Sequence, residues 1–147
     1  MMLSATPAAA CWTPSAASAA KVRNLETMLM VSALRCRTSG RDILPQYTHF
    51  VRASRPALTE VNNRLRQHFE TGLSAGQAMN AYDRYVTSIA NHHGGGTNGL
   101  DCADMASILS AANKANGNLA VLERIASDVG IKPDLKGGVC SIKVAAR

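Results

Sequence analysis

The chain is poor in aromatic residues: one tryptophan, three tyrosines and two phenylalanines make up 4% of it. Strands favour β-branched and aromatic side chains, so this scarcity, beside abundant alanine, argues for closely packed helices over a sheet. Long apolar runs are missing as well. The most apolar stretch, Leu25–Leu34 (LETMLMVSAL), is bounded by Arg23 and Arg35. It falls short of the roughly 18 apolar residues that a membrane span needs. Motifs that carry chemistry are also absent. There is no HExxH, no Walker ending of Gly-Lys-Ser/Thr and no GxSxG elbow, and the four cysteines form no CxxC. No catalytic constellation or cofactor is therefore expected, and a non-enzymatic binding or structural protein is the better reading.

Acidic residues are few, 10 against 16 lysines and arginines, for a net charge of +6. The deficit is local. Between Lys21 and Arg66 stand nine basic residues (Lys21, Arg23, Arg35, Arg37, Arg41, Arg52, Arg55, Arg64, Arg66) against Glu26, Asp42 and Glu60. The rest of the chain balances. A basic face can meet an acidic envelope protein, an anionic surface or nucleic acid. Nucleic acid is the least favoured, because the arginines fall on several faces and aromatic platforms for bases are too few.

At 147 residues the chain fits one domain with a core of its own. The pattern predicts an all-α, five-helix up-and-down bundle with an irregular C-terminal tail. Leu25–Leu34 offers apolar side chains on every side and so belongs at the centre of the bundle. Its helix is predicted from Pro14, after the capping hydroxyl of Thr13, to Arg37, with Ser39-Gly40 as the stop. Val22, Leu25, Leu29 and Cys36 form its stripe.

Tyr47, Val51, Leu58, Val61, Leu65 and Phe69 keep one helical phase across Arg55-Pro56. This predicts a single second helix, Asp42 to Thr71, kinked near Pro56. Ser74 and Gln77 form a capping box for a third helix that ends at His93, with Met79, Tyr82, Val86 and Ile89 inward. Asp101 caps a fourth helix (Cys102, Met105, Ile108, Leu109 and Ala112 inward), closed by Asn116-Gly117. Asn118 caps a fifth, with Leu119, Leu122, Ile125 and Val129 inward, ending at Gly130. Beyond it, residues 139–144 could form a short strand.

Four scattered cysteines, Cys11, Cys36, Cys102 and Cys140, suit two disulfides in an oxidising compartment; four reduced thiols in a cytoplasmic protein are the alternative. Ala8-Ala9-Ala10 resembles the cleavage site of a secretory signal whose positive and apolar regions are missing, so residues 1–10 read as a residual signal or a disordered tail, and residues 11–147 as the domain. The expected location is periplasmic or secreted. Helix order selects the pairing. If consecutive helices run up and down, Cys36 and Cys102 meet at one end, and about ten extended residues after Gly130, spanning up to roughly 33 Å, bring Cys140 back to Cys11. Cys11 and Cys36 flank a helix about 36 Å long, which excludes that pair.

His92-His93, beside the loop Gly94–Gly99, is the strongest candidate for a metal or catalytic site. Adjacent helical side chains point about 100° apart, so the two would need a distant third ligand. His49 and His68 are predicted on another helix. The alternative is a helix-end role, in which the cationic rings favour the C-terminal dipole.

The segments CWTP, ETMLMVSALRCR, DILPQY and DRYVTSIAN resemble a group of small exported bacterial proteins of uncharacterised function. The resemblance covers most of the chain from Cys11 and implies fold and compartment only. Proteins of this look are sometimes named adenosylhomocysteine hydrolase, but this chain lacks the size and the glycine fingerprint of an NAD-binding βαβ unit.

Overall fold

Eleven side chains of the first helix, α1 (Pro14–Arg35), are buried, and they point in every direction around its axis. The computed structural model, which describes residues 11–97 and 99–141, wraps all the other helices on it. Thr13 caps α1 by accepting from the Ala16 N–H, with Pro14 at the first helical position. Leu25 and Leu29 are fully buried at mid-helix. The helix tightens into a 3-10 turn at Cys36–Thr38, two residues sooner than the sequence predicts.

Six α-helices, not five, occur among the described residues. After α1 come α2 (Leu44–Ala53), α3 (Arg55–Glu70), α4 (Ala75–Gly94), α5 (Cys102–Lys114) and α6 (Leu119–Asp128). The predicted second helix is cut at Ser54. Pro56 has no N–H to give and its ring crowds the carbonyl four residues back, so one turn of the ladder is lost. Ser54 N–H still closes α2 on Phe50 O at 2.9 Å, and Ser54 O opens α3 by accepting from Leu58 at 2.9 Å. The break lets the two pieces part: α2 packs on α5 and α1, and α3 on α1 and α4. Ser54 is buried there because the α5–α6 turn, with Gly117 at φ 75°, lies against Ser54 and Ala57. The inward phase nonetheless carries across, since Tyr47, Val51, Leu58, Val61, Leu65 and Phe69 are all buried or half-buried.

Ser74 and Gln77 form a capping box on α4, as Asp101 and Asp104 do on α5, and Asn118 caps α6. One residue predicted inward lies outside: Met79 is exposed, and the smaller Ala78 beside it takes the buried position. Phe50 and Ala126 are fully buried and belong to no predicted stripe.

Two disulfides close the chain on itself, Cys11–Cys140 and Cys36–Cys102, with Cα–Cα distances of 4.9 and 5.8 Å. The first straps the C-terminal segment over the core. Trp12 N–H donates to Gly138 O, Cys140 N–H donates to Trp12 O, and the indole Nε1 donates to Lys136 O at 3.1 Å. The resulting Trp12–Val139 bridge is isolated, and no strand forms among the described residues; positions 142–144 of the predicted strand, like the signal-like residues 1–10, lie outside them. The buried Trp12 ring stacks on His68 at 3.7 Å and meets the edge of Phe69 at 5.7 Å. No described helix is long and apolar enough to cross a membrane.

Candidate functional site

The two histidines part company. His92 is exposed, while His93 turns inward from the last turn of α4 and is buried against α1. Its Nε2 lies 3.2 Å from Asn24 Oδ1. Asn24 is itself held by donating from Nδ2 to Ala20 O at 2.8 Å, so its oxygen faces the ring as an acceptor and Nε2 carries the proton. Beside the pair is a cavity of about 40 Å³, bounded by Thr97, Leu100 and Lys132 among others. Burial, then the neighbouring His92, lowers the His93 pKa to about 4. A neutral ring has no charge to offer the helix dipole, so the helix-end reading fails for this residue. His49 and His68 sit on two helices, α2 and α3, rather than one, and His68 is committed to the Trp12 stack. Among the described residues no three metal-ligating side chains come together.

The His93 geometry sets a pH dependence. Unfolded, a histidine takes up its proton near pH 6.5; folded, His93 resists until about pH 4. The unfolded chain therefore binds more protons between these values, and stability falls as the pH drops from 6.5 to 4. His92, Lys132, Arg35, which donates to Gly94 O, and Tyr85, whose hydroxyl faces Asn24, are charged or titratable groups nearby, and none of the residues bounding the cavity is acidic. Burial lowers the His68 pKa too, in the same sense. Thermal melts should lose up to about 3 kcal/mol across this window, and His93→Gln should flatten the profile. An unchanged profile in that variant would assign the acid sensitivity elsewhere.

The basic first half of the chain sorts into tied and untied cations. Lys21 reaches Glu123 and Ser127, Arg64 pairs with Glu60 at 3.0 Å, Arg35 donates to Gly94 O, and Arg66 lies over the Tyr82 ring. Arg23 donates to Asn62 Oδ1 at 2.8 Å and stands 3.5 Å from Glu26. The exposed Arg37, Arg41, Arg52 and Arg55 have no hydrogen-bond or salt-bridge partner among the described residues, although the charge of Arg41 is felt by the Asp101 carboxylate. Arg37 and Arg41 precede α2, Arg52 lies in its last turn and Arg55 opens α3. α2 itself, LPQYTHFVRA, contains no acidic residue. Its 10 residues rise about 15 Å, which separates the two cationic ends.

Behind Arg55 the break between α2 and α3 opens a groove of about 200 Å³ against α1. Its floor is neutralised from within. Glu26 accepts from the Tyr47 hydroxyl at 3.1 Å and faces Arg23, which in turn holds Asn62. Burial, reinforced by Glu26, pushes the Tyr47 pKa up, so the hydroxyl keeps the proton it donates. Val51, Leu58 and Val61 supply apolar wall. The arginines are visible in the sequence; the groove is not, because its walls come from three helices.

Compared with models of known protein families, with curated proteins and with solved structures, the chain gives no match.

Proposed function

We propose that the protein is an exported, non-enzymatic binding module of the cell envelope that holds an acidic protein segment along α2. The observation that carries this reading is the unpaired set Arg37, Arg41, Arg52 and Arg55 at the two ends of a helix without acidic residues. Complementary charge steers association and fixes register more than it sets affinity. The two disulfides and the resemblance to small exported proteins support an oxidising compartment, where such bridges persist. The chemistry-bearing histidines support catalysis poorly, since His93 is buried in a hydrogen bond and His92 is exposed with only the His93 ring edge-on to it at 5.1 Å.

Poly-L-glutamate is the probe. Affinity of the oxidised protein should fall at least roughly tenfold between about 20 mM and about 300 mM salt, as the Debye length shrinks. The variant Arg37→Gln/Arg41→Gln/Arg52→Gln/Arg55→Gln should lose binding while melting like the wild type. Binding unchanged by salt, or tighter binding to single-stranded DNA than to poly-L-glutamate, would overturn the reading.

A further inference from the structure

The groove behind Arg55 carries more than charge. Arg55, Thr59 and Asn62 are spaced by four and three residues on α3, which places them within an arc of about 60°. All three border the groove, and the apolar Leu58 and Val61 lie next to them around the helix. Asn62 spends its oxygen on Arg23 Nη1, which leaves its amide N–H groups as donors. The Thr59 hydroxyl and the Arg55 guanidinium have no partner among the described residues. Three hydrogen-bond donors, one of them cationic, thus converge beside an apolar wall. The one carboxylate present, Glu26, is already compensated by Arg23 and Tyr47.

We infer that this groove captures the free C-terminal carboxylate of a partner peptide ending in an aliphatic residue. The charge identifies the carboxylate. Guanidinium binds carboxylate through two parallel N–H donors, and Thr59 and Asn62 can satisfy the remaining lone pairs. The wall of Val51, Leu58 and Val61 identifies the aliphatic side chain beside it. The volume, about 200 Å³, is smaller than drug-sized pockets of about 300–1,000 Å³, so it admits one terminal residue and little more. The outer edge, where Arg52, Arg55 and Thr59 are exposed, leaves room for the rest of the peptide to run along α2. This inference rests on the acidic-partner reading and narrows it to one anchoring group.

The test uses the full oxidised chain and a fluorescein-labelled peptide ending in Gly-Ala-Val, with its C-terminal amide and free isovalerate as comparisons. The acid form should bind at least roughly tenfold tighter than the amide, since the amide lacks the charge-assisted pair. Arg55→Met should abolish that preference with a wild-type thermal melt, and Asn62→Leu, which also takes the acceptor from Arg23, should reduce it and lower the melting temperature slightly. Equal binding of acid and amide, or a preference that survives in Arg55→Met, would overturn the inference. Isovalerate binding as tightly as the peptide would overturn a peptide terminus as the source. If the acid peptide fails while poly-L-glutamate still binds, the groove inference falls and the broader reading stands.

Discussion

Replacing Cys11 and Cys140 by alanine is expected to cost about 5 kcal/mol of stability, and replacing Cys36 and Cys102 about 4 kcal/mol. The bridges span 129 and 66 residues, and each removes the closure entropy of that loop from the unfolded chain. The dependence on loop length is logarithmic, so doubling the span adds only about 0.6 kcal/mol. The Cys11–Cys140 bridge should still matter more, because its loss also loosens the segment that carries the Gly138 and Lys136 contacts to Trp12. A domain of this size has about 5–15 kcal/mol in all, so removing both bridges takes most of it. Thermal melts of each double variant should fall by roughly 10–20 °C, and the quadruple variant should be largely unfolded at 37 °C. Melting temperatures unchanged by reduction would show that the core holds without its bridges.

Trp12→Ala should cost about 3–5 kcal/mol, the range for truncating a buried large aromatic. The ring is 2% exposed, and the neighbours it fills against cannot collapse together, because they come from three places in the chain. His68 and Phe69 belong to α3, Tyr85 to α4, and Lys136 to the C-terminal segment. Removal leaves a cavity, an unstacked His68 ring and a carbonyl without its donor. Denaturant unfolding followed by far-UV circular dichroism measures the loss. Trp12→Phe, which keeps much of the volume but not the indole N–H, should lose less. A cost below about 1 kcal/mol for Trp12→Ala would mean that the C-terminal strap is not coupled to the core.

The central helix was legible because its apolar side chains cover every direction, and only a buried position satisfies that pattern. The caps at Thr13, Ser74, Asp101 and Asn118 were legible because each rests on a local hydrogen bond that the sequence spacing alone dictates. The cut at Ser54 was not. Hydrophobic phase reports which way side chains point, and both a kinked helix and two helices at a one-residue break preserve it. What distinguishes them is the partner of each piece, α5 for one and α4 for the other, which is a tertiary fact. The burial of Trp12 had no signal in the sequence and His93 was misjudged, for a related reason. Trp12 is buried by the segment around residues 136–140, and His93 by Asn24, 69 positions away. For the groove, a sequence signal existed in Arg55, Thr59 and Asn62, a polar stripe adjoining the apolar one on the same helix. Its meaning depended on α1 lying against that stripe, with Arg23 on Asn62 and Glu26 on Tyr47, contacts between helices that spacing within one helix cannot reveal.

The most direct measurement is an amide chemical-shift titration of the oxidised protein with poly-L-glutamate at low salt. If the unpaired arginines around α2 hold an acidic partner, the perturbed amides should cluster between Arg37 and Asn62 and vanish in the four-arginine variant. Perturbations centred instead on His92, Thr97 and Lys132, or spread evenly over all six helices, would contradict a partner site along α2.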